Sequence, residues 1–159
     1  MGVVNITPVS FYDGGAHFNP EDAIAHGNRL LEEGADILDL GGQSTRPGSE
    51  SVGTQEELRR VLPVLESLRQ HTHAWLSIDT YRSEVAKVCL EEGADMINDV
   101  SSFRMDPDLP AIVAQSKVPV VCMHFLKSIH PMPTDPQYTN LKKEIVLLLS
   151  IFTLINIYY

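Results

Sequence analysis

Two kinds of apolar spacing alternate along this chain. Short apolar runs, rich in β-branched residues, fall at 1–5, 37–40, 74–78, 95–97 and 118–123 and have the length of strands. Between them, apolar residues recur at helical spacing: Ala23, Ile24, Gly27, Leu30 and Leu31; Leu58, Val61, Leu62, Leu65 and Leu68; Val85, Val88, Cys89 and Leu90. The punctuation agrees with that division. Asn19-Pro20-Glu21-Asp22 reads as an N-cap, a proline at the first helical position and acids in the first turn. Gly34 and Gly93 end helices. Thr54-Gln55-Glu56-Glu57 reads as a capping box, with Thr54 as N-cap and Glu57 at N3. Pro63 is expected to bend or shorten the helix that follows, and a short helix is expected over 108–115.

Strand and helix in strict alternation predict a parallel sheet with right-handed crossovers. Glu33-Gly34-Ala35-Asp36-Ile37 and Glu92-Gly93-Ala94-Asp95-Met96 are near copies at helix-to-strand joints, one βα unit reused. Polar residues follow every strand, and no Gly-x-Gly-x-x-Gly follows the first one. Both points favour a (β/α) barrel over a doubly wound dinucleotide fold. A closed barrel has eight strands. The expected fold is therefore α/β, a partial (β/α)8 TIM barrel with about five of its βα units. The first strand is under way at Met1, so its lead-in is expected upstream. Residues 1–144 read as one domain. After Glu144 no charged residue remains, and 145–159 reads as a divergent apolar tail. It is shorter than the ~20 residues of a membrane helix. A membrane anchor, a core helix and the end of an interrupted reading frame are the alternatives for it.

Composition narrows the partners. The chain has 159 residues, suited to one domain, and a net charge of −9 with no basic cluster, so no nucleic-acid partner is expected. Cys89 and Cys122 lie in apolar runs without metal-ligand spacing and read as buried thiols of a reducing compartment. No secretory leader is seen at the start, so the expected location is cytoplasmic and the Asn5-Ile6-Thr7 sequon is discounted.

The candidate chemistry sits where the strands end. The first delivers Asn5, the second Gly41 and Gly42 and then Ser44-Thr45-Arg46-Pro47-Gly48, the third Asp79, the fourth Asn98 and Asp99, the fifth His124. A barrel brings all of these to one mouth. The two glycines admit a ligand close to the backbone, and Arg46 offers a fork of donors for a carboxylate or phosphate. A carboxylate such as Asp79 matches a ring edge with adjacent N–H donors, and an asparagine matches a mixed edge. Asn5 could instead help hold Mg²⁺ beside a phosphate. Each residue also has a plainer reading: Asp79 and Asn98-Asp99 as caps of the following helices, Arg46 as a solvated loop residue, His124 as a structural histidine.

These segments resemble dihydropteroate synthase, the pterin-binding TIM-barrel family of folate synthesis. The resemblance lies in Met1-Gly2-Val3-Val4-Asn5-Ile6-Thr7-Pro8 with Ser10-Phe11 and Asp13-Gly14-Gly15, the stretch from Gly34 to Gly48, Ser77-Ile78-Asp79-Thr80, Ile97-Asn98-Asp99 and Met123-His124. It implies that Asn5 lies near Mg²⁺ and the diphosphate, that Asp79 and Asn98 contact the pterin ring, and that Thr45 and Arg46 belong to a loop that helps close over substrate, Thr45 also binding it. The implied reaction joins 6-hydroxymethyl-7,8-dihydropterin diphosphate to 4-aminobenzoate. Two departures stand out: Val9 replaces the family's usual aspartate, and Gln43 its usual glutamate. The family's second half, with its remaining pterin and diphosphate contacts, has no counterpart here. A pterin-binding module related to folate-dependent methyltransferases and a non-functional truncated product are the alternatives. A homodimer that covers the open sheet edges is also compatible with the sequence.

Overall fold

A computed structural model describes residues 1–7, 19–44, 52–123, 139–147 and 150. Within described residues 1–123, five strands alternate with four helices: β1 (Gly2–Asn5), α1 (Pro20–Glu32), β2 (Ile37–Gly41), α2 (Thr54–His71), β3 (Trp75–Asp79), α3 (Ser83–Glu91), β4 (Met96–Asp99), α4 (Leu109–Ser116) and β5 (Val120–Cys122). The strands pair in sequence order, β1-β2-β3-β4-β5, all parallel. That is the order of consecutive barrel staves and not of a doubly wound sheet, whose order reverses midway. Among the described residues the sheet is open, with β1 and β5 at its edges.

The two faces of the sheet differ. Val4, Ile6, Leu38, Leu40, Leu76, Ile78 and Ile97 form one buried cluster with Leu58, Val61, Leu65 and Leu68 of α2, Val85 and Cys89 of α3, and Leu109 and Val113 of α4. On the opposite, concave face Val3 is 52% exposed, Trp75 48% and Val121 43%. The period-two pleat sorts these residues, and the helices cover only one side.

The near-repeated pentapeptides fold alike. At both joints the glycine is left-handed, Gly34 at φ 96° and Gly93 at φ 97°. The next residue's N–H reaches back into the helix in each case, Ala35 to the Leu30 carbonyl and Ala94 to the Cys89 carbonyl, both at 3.0 Å. A residue with a Cβ strains at such a φ, which is why glycine stands at both joints. Asn19 caps α1 as expected, its Oδ1 accepting from Glu21 N–H, and Pro20 opens the helix.

The capping-box reading of α2 is corrected. Its N-cap is Gly53, with no side-chain cap bond, and Thr54 is already helical. Glu57 is turned inward, 1% exposed, and pairs with Arg82. The guanidinium of Arg82, the residue that precedes α3, outcompeted a local backbone N–H for the same carboxylate. Pro63 does not shorten the helix, which continues to His71. Residues 141–147, which run from the end of the expected domain into the tail expected from 145, are helical, with Val146 and Leu147 exposed. Among the described residues no helix is long and apolar enough to cross a membrane.

Candidate functional site

Strands β2, β3 and β4 run one or two residues further than the apolar runs suggested, so the polar residues at their ends are themselves on the pleat. Register partners in parallel strands share a face. Asn5, Gly41, Asp79, Asn98 and Val121 therefore form one row across the concave face. The row below it holds Val3, Asp39, Ser77 and Met96. Three of the five expected site residues, Asn5, Asp79 and Asn98, thus lie in one line. Thr45 and Arg46 lie outside the described residues, as do Val9 and His124.

Asp39 organises the centre of this face. It is 5% exposed, deep in β2. Its Oδ1 accepts from Ser77 Oγ at 2.6 Å and its Oδ2 from Asn98 Nδ2 at 2.9 Å. An ionised carboxylate only accepts, so the Asn98 amide must turn its NH₂ toward Asp39. The Asn98 carbonyl oxygen and its second N–H are left for something else. A donor and an acceptor are thereby held side by side at fixed orientation.

Asp79 sits next to Asn98 in the row, flanked on its other side by Gly41. Burial pushes its carboxyl up to about 7, and the carboxylates of Asp39, Glu57 and Asp99 add to the effect. Such a group takes or releases a proton near neutrality. It gains most from a partner that brings N–H donors and displaces the remaining water. Asp79 does not cap α3, whose N-cap is Arg82.

Asp99, adjacent in sequence to Asn98, has a different role. It is fully buried, and its carboxylate accepts from the backbone N–H groups of Ser101 and Phe103. These bonds hold a turn in which Ser102 and Phe103 have φ of 53° and 61°. Two successive left-handed side-chain residues cost energy, and the Asp99 bonds offset it. Asp99 shapes the turn beneath the site and does not line it.

The end of β2 is clamped as it leaves the sheet. A Cβ on Gly42 would lie 2.8 Å from Val61 Cγ2, so no side chain fits there. Arg60 Nη1 donates to the Gly42 carbonyl at 3.0 Å, and Arg60 Nε bonds to Glu56. Gln43 is buried; its Nε2 donates to Tyr81 Oη at 3.1 Å and its Oε1 accepts from Arg82 at 2.8 Å.

Sequence reasoning passed over Asp39, Ser77 and the Glu57–Arg82–Gln43 cluster. For Asp39 a signal existed: a lone charge inside Ile37-Leu38-Asp39-Leu40, two residues before Gly41 and so on the same face. Ser77 stands in the same relation to Asp79. No signal announced the cluster, because its members come from three separate segments.

Similarity to known proteins points the same way. The family described as pterin binding enzyme matches residues 1–151. The dihydropteroate synthase of Synechocystis sp. is 43% identical over 144 residues, 91% of this chain and 50% of that protein. The dihydropteroate synthase of Escherichia coli K12 is 40% identical over 145 residues, 91% of this chain and 51% of the relative. Among solved structures, the Yersinia pestis dihydropteroate synthase in complex with a sulfonamide drug superposes with a TM-score of 0.86 at 38% identity, covering 98% of this chain and 56% of that one. The Xanthomonas albilineans enzyme with 4-aminobenzoic acid gives 0.81 at 46% identity, over 96% of this chain and 53% of that one. The chain spans about half the length of the curated relatives it matches.

Proposed function

Because this chain belongs to the pterin-binding enzyme family, we propose that it forms the pterin side of a dihydropteroate synthase. The observation that carries this reading is the Asp79–Asn98 pair, adjacent in register and braced from below by Asp39. An ionised Asp79 accepts two neighbouring N–H donors of a 2-amino-4-oxo ring edge. Asn98 supplies one acceptor and one donor to the mixed edge beside it. The reacting methylene of the bound pterin diphosphate is then held in one place. Its C–O bond breaks with the electron pair leaving on diphosphate. The nitrogen lone pair of 4-aminobenzoate forms the new C–N bond, and that nitrogen releases a proton to solvent. Fixing the pterin plane lowers the entropic part of the barrier, since the arylamine then meets an oriented carbon.

Asn5 fits a role beside Mg²⁺. Its amide oxygen is a hard donor at the exposed end of β1, in the same row as Asp79. Among the described residues no group of three His, Cys, Asp or Glu could hold a metal, so the substrate's diphosphate and water would supply most of the oxygens. When bound, the ion supplies positive charge to the leaving diphosphate. Thr45 and Arg46, on the segment that follows Gly41-Gly42, are proposed as further substrate contacts. A cytoplasmic setting suits the free thiols, Cys89 pushed up to about 12 by burial and Cys122 likewise. For this chain by itself, the two edges that are open among the described residues are where a second copy would pair in a homodimer.

The test is formation of dihydropteroate, read by mass, in a version extended to eight strands with the C-terminal half of the Escherichia coli relative. The extended version forms product and its Asp79→Asn variant does not. A folded extended version that forms none would overturn the reading.

A further inference from the structure

Arg82 and Glu57 form an ion pair at the top of the sheet, with the Arg82 side chain 15% exposed and that of Glu57 1%. Neither belongs to the row of Asn5, Asp79 and Asn98. A buried ion pair gives little net stability over an apolar pair of the same shape. Its placement has a more specific consequence. Arg82 Nη1 donates both to Glu57 and to Gln43 Oε1, while Arg82 Nη2 donates to the Val52 carbonyl. Gln43 lies just before the span 45–51 and Val52 just after it. The guanidinium stacks 4.6 Å from the centroid of Tyr81, whose hydroxyl is itself bonded to Gln43. Arg60 secures the Gly42 carbonyl from the other side.

We propose that Arg82 is a positioning residue: it ties Gln43 to Val52 and so fixes the two ends of the span that carries Thr45 and Arg46. Glu57, anchored on α2, holds the guanidinium in place. A planar fork can serve three acceptors in different directions at once, which a lysine ammonium at the same site does poorly. Gln43 suits this arrangement better than a glutamate. It is 6% exposed, and a carboxylate there would put a second negative charge beside Glu57 against one guanidinium. The consequence for substrate rests on the synthase reading; the tethering itself does not.

Hydrogen exchange followed by mass spectrometry on the full chain tests it, comparing wild type, Arg82→Met, Arg82→Lys and, as a control at the other end of the sheet, Arg69→Met. In Arg82→Met, exchange across 43–57 speeds up by about tenfold, the scale expected for losing hydrogen bonds to a charged group. Arg82→Lys falls between the two, and peptides from β1 and the C-terminal half of α3 keep their wild-type rates. Arg69→Met leaves 43–57 unchanged relative to the rest of the chain. No change across 43–57 in Arg82→Met, or a rise spread evenly over the whole chain, overturns the proposal. Should Arg82→Met fail to fold, Gln43→Leu decides, since it leaves the Arg82–Glu57 pair in place: a rise confined to 43–57 supports the tether and an unchanged pattern overturns it. If the wild-type chain shows no affinity for pterin, the synthase reading fails while the exchange pattern still decides the role of Arg82.

Discussion

Replacing Asp79 by asparagine should stabilise the chain, and only above a certain pH. The carboxyl is held up to about 7, against 3.8 for the ordinary side chain, by burial first and then by the charges of Asp39, Glu57 and Asp99. A raised carboxyl means that ionising Asp79 costs more in the folded chain than in the unfolded one. Between about pH 4 and 7 the folded chain binds the extra proton, so stability falls as pH rises through that window and stays low above it. That gap of about 3 pH units, at ~1.4 kcal/mol each, sets an upper figure of about 4 kcal/mol. The concave face is open to water beside Asp79, so ~2 kcal/mol is the more realistic size. An asparagine side chain has nearly the same shape and cannot ionise. Urea melts of wild type and Asp79→Asn, taken at several values from about pH 4.5 to 8.5, measure the difference. The variant should equal wild type at the acid end and exceed it at the alkaline end, with the downward slope of wild type between them removed. Equal stability at the alkaline end, or a slope that survives the substitution, would refute the reasoning that the site stores an unfavourable charge.

Three other substitutions follow from the same geometry. Asp39→Ala strands the buried Ser77 hydroxyl and the part-buried Asn98 amide and should cost about 2–4 kcal/mol in urea melts, with loss of pterin affinity as well. Arg69→Met removes a guanidinium that bonds the carbonyls of Thr72, Ala74 and Gly93 and the Asp95 carboxylate. Thermal melts should show it destabilised by about 2–3 kcal/mol, with pterin affinity retained because the residue lies far from the Asp79 row. Gly42→Ala forces a Cβ to within 2.8 Å of Val61 Cγ2 and should cost about 1–3 kcal/mol, and adding Val61→Ala to relieve the contact should return part of it.

The fold was legible where local chemistry decides it. Apolar period, the Asn19-Pro20 start and the two Gly-Ala-Asp joints act within one turn of chain, and they placed the elements from β1 to β5 to within a few residues. The site was half legible. Asp79 and Asn98 were visible as polar residues at strand ends, but Asn98 and Asp99 looked alike. Only the pleat separates them, sending Asn98 to the concave face and Asp99 into the turn. Asp39 showed itself as a charge in an apolar run, yet its importance comes from Asn98, 59 positions away. Glu57 fitted a local capping pattern, and the partner that pulled it inward, Arg82, lies 25 positions on. Contacts of that separation are settled by topology, which sequence spacing does not record.

The central claim is that Asp79, in its ionised form, receives the N–H edge of a pterin. Isothermal titration of the chain with 6-hydroxymethylpterin, at about pH 5.5 and again at about pH 7.5, tests this directly. With the carboxyl near 7, the ionised fraction grows more than tenfold across that range, and affinity should grow with it. Asp79→Asn should bind weakly at both values. An affinity that is the same at both values, or that survives the substitution, would contradict the account.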